Sequence, residues 1–436
     1  MHRASIATGL AIALSVTWPR IARAEDPPGK QEDEVGTKID DAHERAEEES
    51  AKGAQAPARQ EADVQSAPPK RTEEDDPDRM KFTLNGYVET YYQWNFERPS
   101  NGITNWRAYD DRHNTFTLQN AVLDAGFRAK DLLARLALQV GHTAASMYQS
   151  ETQLPGTDGA NATGPELWRY LQRASAGWAP SKPLLLEAGL FLTSYGVEGF
   201  AVKDNWNWSR TNAFARLPNY QTGLKATYHV DRSFDVIGGV YNGWNTLVDN
   251  NDEKSFSVQA QYKHEEDLTA SLTYYGGVER EGGAPEGRAW RHAAQGYVQW
   301  DATRWFETAA EGDGGFEDNR FGLHWFAAAV AWVRFAATDF LYLALRGERL
   351  WEDPSANASG ASRPFLLPAK FVTSETVTVD VRPAKGLSTR LEYRHDEASD
   401  DLYFAKNVQG DGTPERPYVP NAKVQNTLLF GVTAWF

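Results

Sequence analysis

Apolar and polar residues alternate with a period of two through much of the chain after Met80. Over 254–263, apolar side chains occupy every second position and polar side chains occupy the positions between them. The same pattern recurs over 267–277 and 386–395. Because successive side chains of a β-strand point to opposite faces, each stretch predicts a strand with one apolar face. A length of about ten residues is what a tilted strand needs to cross a membrane.

Sixteen such stretches are predicted as strands, and the links between them alternate in length. The strands are expected near 82–95, 113–128, 131–142, 166–179, 184–194, 219–229, 233–242, 254–263, 267–277, 290–300, 304–312, 323–335, 339–350, 370–382, 386–395 and 424–436. Even-numbered links are short, and odd-numbered links are longer and rich in Gly, Pro, Asn and Asp. A soluble β-sandwich gives no reason for this alternation, whereas a membrane barrel has short turns on one side and long loops on the other. We therefore predict an all-β fold, a closed antiparallel transmembrane β-barrel of about 16 strands (range about 14–18).

The chain before the strands divides into two regions. Arg3, an apolar run over 6–18 and the small-residue site at 22–24 predict a signal peptide over 1–24. Residues 25–79 contain no Phe, Trp or Tyr and hold 18 acidic against 8 basic residues, so they predict a disordered acidic periplasmic tail. The barrel is then 80–436. Cysteine is absent, which excludes disulfides and a lipid-modified N-terminal cysteine.

A barrel with a polar inner face reconciles membrane insertion with a net charge of -15 and a mean hydropathy of -0.59. Both signs of charge fall on that face, as expected for a hydrated pore. The alternative is that these charges only pair across strands. The proposed pore-lining residues are Arg135, Arg169, Arg173, Arg346, Glu348, Arg390, Glu392 and Arg394.

Two local features of the strands stand out. The last strand places Leu428, Phe430 and Phe436 on the outward face, and the terminal Phe436 resembles the signal by which outer-membrane barrels are recognised for assembly. The second strand changes phase between Leu118 and Ala121, which predicts a β-bulge near Gln119.

Several long stretches resemble the β-barrel porin-2 (OmpL-like) family of outer-membrane porins. They include "LNGYVETYYQWNFERPSNG", "DRHNTFTLQNAVLDAGF", "AGLFLTSYGVEGFAVKDNWNWSR" and "GVYNGWNTLVDNNDEKS", and the resemblance runs from about residue 82 to the end. It implies a channel for passive diffusion of small hydrophilic solutes in the outer membrane of a Gram-negative bacterium. The family offers no set of functional residues to transfer.

The link over 195–218 holds five aromatic residues, more than a solvent-exposed loop needs. In sixteen-stranded porins the third outer loop, which this would be, often folds inward and narrows the channel. We predict that Trp206 and Trp208 anchor it to the inner wall, and that Lys203, Asp204 and Arg210 line the constriction. The alternatives are that the aromatics pack on neighbouring loops, or that 206–208 extends a strand.

No motif of an enzyme is present, so no catalytic residue, cofactor or metal site is expected. Two other functions stay open: an anchor or scaffold with a plugged barrel, and an outer-membrane hydrolase. The expected partners are outer-membrane lipid, the barrel-assembly machinery, small solutes and a second copy of the chain in a homo-oligomer, with no nucleic acid. Both termini are expected in the periplasm.

Overall fold

The computed structural model describes residues 80–149, 151, 153–154, 156–157, 159, 162–265, 267–353, 365 and 367–436. The predicted signal peptide and acidic tail lie outside the described residues. Within the described part, sixteen strands form one closed antiparallel barrel in which each strand pairs with the next and β1 pairs with β16. The predicted fold is confirmed. The strands are β1 (Lys81–Asn95), β2 (Thr115–Ala129), β3 (Leu132–Val140), β4 (Leu171–Ser181), β5 (Leu184–Leu192), β6 (Tyr220–His229), β7 (Phe234–Tyr241), β8 (Ser255–His264), β9 (Leu268–Val278), β10 (Trp290–Thr303), β11 (Phe306–Asn319), β12 (Gly322–Ala336), β13 (Leu341–Asp353), β14 (Phe371–Ala384), β15 (Leu387–Ala398) and β16 (Val424–Trp435).

The links alternate in length, as expected, with one exception. Turns of two to four residues join β2 to β3 and every second pair after it, and they define the short-turn end of the barrel. The links at the opposite end, the long-link end, are mostly longer, but β11 and β12 are joined there through 320–321 alone. β11 continues to Asn319, well beyond the predicted end at 312, because its alternation persists through a glycine-rich stretch.

Among the described residues, three short α-helices lie in the long links: α1 (His142–Ser146), α2 (Pro165–Trp168) and α3 (Asn212–Arg216). The predicted strand start at 166 is wrong, because α2 occupies these residues with Pro165 in its first turn and β4 begins only at Leu171. Every helix among the described residues is too short or too polar to cross a membrane.

The barrel wall is apolar outside and polar inside. Along β16, Leu428 and Phe430 are exposed on the outer face. Gln425, Thr427 and Leu429, at the alternate positions, are buried on the inner face. A closed barrel can lie in lipid because every strand has a partner on both sides, which satisfies the backbone hydrogen-bonding groups. Outward aromatic side chains collect near the strand ends, as expected for an interfacial girdle. Exposed examples are Trp178, Trp300 and Trp325.

β1 and β16 close the barrel at the C-terminal residue. Phe436 N donates to Gly86 O at 3.1 Å, and Gly86 N donates to Phe436 O at 3.3 Å. The Phe436 ring is 72% exposed on the outer face and covers Gly86, where an added Cβ would lie 2.8 Å from the ring. Glycine at this position therefore makes room for the terminal aromatic ring.

The predicted β-bulge is confirmed at Gln119. Glu89 pairs with Asn120 and Thr90 pairs with Leu118, so Gln119 has no partner in the β1–β2 ladder. Both Gln119 and Asn120 are about 1% exposed on the inner face, because a bulge puts two successive side chains on one side.

Candidate channel constriction

The link between β5 and β6, residues 193–219, folds into the barrel, and we call it the inner loop. It contains the 3-10 helix Val202–Asp204 and α3. Thr211 caps α3, since its side chain accepts a hydrogen bond from Phe214 N at 3.0 Å. The loop leaves the wall at β5 and touches inward side chains of β1, β2 and β13 to β15. It therefore crosses the lumen.

Carboxylates of the wall accept the backbone N–H groups of the inner loop. These carboxylates belong to strands on three parts of the barrel, and each is less than a tenth exposed. Charge-assisted bonds to carboxylates are shorter and stronger than neutral ones. The bonds run from Val197 N to Glu311 Oε2 (2.7 Å), from Val202 N to Glu89 Oε1 (2.5 Å), from Trp208 N to Glu392 Oε2 (2.5 Å), from Ser209 N to Glu392 Oε1 (2.9 Å) and from Asn212 N to Glu348 Oε2 (2.7 Å).

Arginines of β13 and β15 bind the other side of the same backbone by donating to its carbonyl oxygens. The bonds run from Arg346 Nη1 to Ser209 O (2.5 Å), from Arg390 Nη1 to Val202 O (2.9 Å) and Asn207 O (3.1 Å), and from Arg394 Nη1 to Arg210 O (2.6 Å). Glutamates of the wall thus bind N–H groups of the inner loop, and arginines of the wall bind its carbonyl groups. This arrangement fixes the path of the loop backbone.

Trp208 is a buried apolar contact between the inner loop and the barrel wall. It is 1% exposed, packs with Tyr91 and Leu429, and donates from Nε1 to Gln119 Oε1 at 2.9 Å. Gln119 also donates from Nε2 to Glu89 Oε2 at 2.9 Å, so the bulge residue joins the tryptophan to a backbone anchor. An added Cβ at Gly431 would lie 2.3 Å from the Trp208 ring, which shows how closely β16 approaches it.

Trp206 packs elsewhere, in the large buried cluster, with the Arg334 guanidinium 5.2 Å from its ring centroid.

Of the residues expected to line a constriction, Lys203 and Asp204 form an ion pair at 2.7 Å and keep 27% and 29% of their side chains exposed. Arg210 is only 3% exposed. Its guanidinium donates to Trp208 O at 2.6 Å and Gly199 O at 3.0 Å, so it braces the loop from within.

The eight residues expected to line a pore fall into different surroundings. Five hold the inner loop or its carboxylates: Arg346, Glu348, Arg390, Glu392 and Arg394. Arg135 faces inward on β3 and binds Asp124 at 2.9 and 3.1 Å, and Arg173 is buried on β4. Arg169 precedes β4 and pairs with Glu166 at 2.8 Å, so the structure does not bring it to the others. That these residues border a solute path stays a prediction.

Sequence reasoning missed a second segment that folds inward, in the link over 96–114. Arg107 is 8% exposed and donates from Nη2 to Thr427 Oγ1 at 2.6 Å. Gln425 Nε2 donates to Asn105 O at 3.0 Å. The available signal was the link's content of Phe96, Trp106 and Tyr109, which is fewer aromatic residues than the inner loop holds.

Two long links meet at Glu151, outside the membrane strands. Its Oε1 accepts hydrogen bonds from Leu247 N at 2.6 Å and from the Tyr220 hydroxyl at 3.0 Å. Burial raises the pKa of this carboxyl to about 7, although hydrogen bonds from Leu247, Tyr220 and Val248 act in the opposite direction. The contact between these links is therefore expected to depend on pH near neutrality.

The family model described as "Putative beta-barrel porin-2, OmpL-like" matches residues 81–436, nearly the whole described barrel. The chain belongs to this family. The protein is thus an outer-membrane porin, a water-filled channel for passive diffusion of small hydrophilic solutes. No curated protein matches the porin in sequence.

Solved structures share the porin's fold at low sequence identity. OmpT of Vibrio cholerae, an outer membrane protein solved in a trimer form, has a TM-score of 0.52 and 12% identity, covering 82% of this chain and 100% of that one. The outer membrane channel DcaP of Acinetobacter baumannii has a TM-score of 0.50 and 10% identity, covering 82% and 97%. An anion-selective porin from Comamonas acidovorans has a TM-score of 0.50 and 11% identity, covering 82% and 100%.

Proposed function

We propose that the inner loop sets the size limit of the porin's channel. This proposal rests on the hydrogen bonds between the loop backbone and the glutamates and arginines of β13 and β15. These strands lie across the lumen from β5 and β6, which the loop connects. A loop held at both ends and at its middle narrows the passage that solutes share. Lys203 and Asp204 keep exposed side chains and are the proposed border of the constriction.

In this proposal the porin is a channel without catalytic activity, which its family membership supports. Both termini lie in the periplasm. The support for that side is that Lys81 and Ala434 both pair near the short-turn end, the end that faces the periplasm in outer-membrane barrels. A homo-oligomer is proposed by analogy with the trimer form of the OmpT structure.

We also propose that Phe436 acts in assembly, because its ring is exposed outward at the barrel seam. Deleting Phe436 should lower the amount of inserted porin without changing the conductance of the molecules that do insert. Surface levels measured against wild type test this. Full insertion without Phe436 contradicts it, and Phe430→Ala, which removes another outward aromatic of β16, is the matched control.

The channel is tested with purified porin in planar bilayers and in liposome swelling with neutral sugars of increasing size. Stepwise conductance and a sharp size cutoff are expected. Absence of conductance in folded protein would favour the scaffold with a plugged barrel.

A further inference from the structure

Two inward carboxylates on β11 are neighbours on the same face, and neither pairs with a basic side chain among the described residues. Glu311 and Asp313 are two residues apart on the same face of β11, and each is 7% exposed. Among the described residues, no Lys, Arg or His lies within ion-pair distance of either one. The acid nearest to Glu311 in the loop, Glu198, already pairs with Arg346 at 2.7 Å. Buried carboxylates on neighbouring side chains repel each other strongly when both are ionised.

Buried polar atoms of Asp313 and Gln295 have no partner within hydrogen-bond distance. Neither Oδ1 nor Oδ2 of Asp313 accepts a hydrogen bond, although both are buried. Gln295 lies opposite Asp313 on β10, is 3% exposed, and has neither its amide nitrogen nor its amide oxygen bonded. Buried polar atoms are rarely left unbonded, so these atoms point to something that binds among them.

The Gln295 and Glu311 side chains converge below Gly196 at the start of the inner loop. A Cβ added to Gly196 would lie 3.1 Å from Gln295 Nε2 and 3.1 Å from Glu311 Oε2. Gly196 has φ +84°, a conformation that favours glycine, so the loop root keeps this space free of a side chain. Glu311 Oε2 also accepts from Val197 N at 2.7 Å, which links the acidic pair to the loop backbone.

We propose that Glu311, Asp313 and Gln295 bind a hard divalent cation, of which Ca²⁺ is the best match. Ca²⁺ takes six to eight oxygen ligands at about 2.3–2.6 Å from carboxylates, amide carbonyls and water in flexible geometry. The two carboxylates and the Gln295 amide oxygen supply the protein ligands, and water completes the shell. Carboxylate, amide and water oxygens are ligands that suit Ca²⁺, whereas imidazole and thiolate ligands suit zinc and copper. The cation neutralises the pair and fixes the root of the inner loop.

Terbium luminescence tests this site on the full chain refolded in detergent without lipopolysaccharide. Tyr297 pairs directly with Glu311 across the strands and can sensitise Tb³⁺ bound there, whereas residues 25–79 contain no aromatic residue. Saturable sensitised emission that Ca²⁺ displaces is expected for wild type. Glu311→Gln and Asp313→Asn, each tested alone, should weaken binding at least tenfold. Asp124→Asn, which changes an inward carboxylate that has Arg135 as its partner, should bind as wild type does.

Gel mobility before and after heating confirms that each variant is folded. Wild-type emission without saturation, or equal affinity in wild type and both site variants, overturns the proposal. A wild type that binds no Tb³⁺ or Ca²⁺ at any pH from 5 to 9 means that the pair holds a shared proton and also overturns it. These outcomes do not depend on conductance, so they are separate from the test of the channel.

Discussion

Buried carboxylates on β11 and on the far wall of β13 and β15 both bind the inner loop, but only the far wall also supplies arginines. On β13 and β15, Glu348 lies 3.2 Å from Arg394, and Glu392 shares its surroundings with Arg346. On β11, no basic side chain among the described residues pairs with Glu311 or Asp313. Both parts hold loop N–H groups, so accepting a backbone bond does not require an arginine. In the proposal above, a bound cation balances the charge at the loop root, whereas the arginines of the far wall balance the charge there.

We therefore expect the far wall to hold the inner loop under all ordinary conditions, and the loop root to hold it only when a cation is bound. The arginines of the far wall, which hold carbonyl groups of the loop, stay charged across the physiological pH range, since arginine does not deprotonate in proteins. The root is expected to respond to the cation content of the medium. The predictions below test each side of this contrast.

The largest effect is expected from Trp208, the apolar anchor at the far wall. Trp208→Ala should destabilise the packed loop by about 3–5 kcal/mol, because it removes a fully buried aromatic side chain. Gly431→Ala should cause part of the same loss, since its Cβ would meet the Trp208 ring. Hydrogen exchange of the loop amides measures both.

A double-mutant cycle decides whether these two effects share one cause. If the Gly431 contact acts through Trp208, the double variant should lose no more than Trp208→Ala alone. Additive losses would mean that Gly431 acts on the barrel independently. Gly347→Ala is the control, because an added Cβ there meets no atom within 4 Å.

A smaller but still large effect is expected from Glu392→Ala. The change leaves Trp208 N and Ser209 N without their acceptor, and each unpaired buried N–H costs about 1–3 kcal/mol. We expect faster exchange of these two amides and greater noise in the single-channel current, with unchanged heat resistance of the barrel. Asp124→Ala is the control, because Asp124 binds Arg135 and not the loop. Equal exchange in both variants would contradict a holding role for Glu392.

The strands were predictable and the partners of their inward side chains were not. Period-two alternation placed Glu392 and Arg394 on the inner face, because a strand's faces follow from residue parity alone. It also located the bulge at Gln119. That Glu392 accepts from Trp208 N depends on contacts 184 residues apart, which no local pattern records. Proline at the start of α2 displaced the beginning of β4, and with it the predicted inward position of Arg169.

The smallest effect concerns pH at Glu151, where two long links meet. Its pKa of about 7 in the packed state lies above the ordinary value of 4.5, so packing is favoured when the carboxyl is protonated. The contribution is complete below about 4.5 and is lost as the pH rises through about 7. Exchange protection of Leu247 N, corrected for intrinsic rates, should be higher at pH 5 than at pH 8. Glu151→Gln should flatten this dependence, and equal wild-type protection at the two values would contradict it.

The most direct test of the account is the conductance of a porin whose inner loop is shortened across 203–212. That change removes Trp208 and the backbone bonded to Glu392 and Arg394, while leaving the strands intact. Single-channel conductance should rise, and the swelling assay should admit larger neutral sugars than wild type does. An unchanged conductance and size cutoff, in a variant with normal heat-modifiable mobility, would contradict the claim that the inner loop narrows the channel.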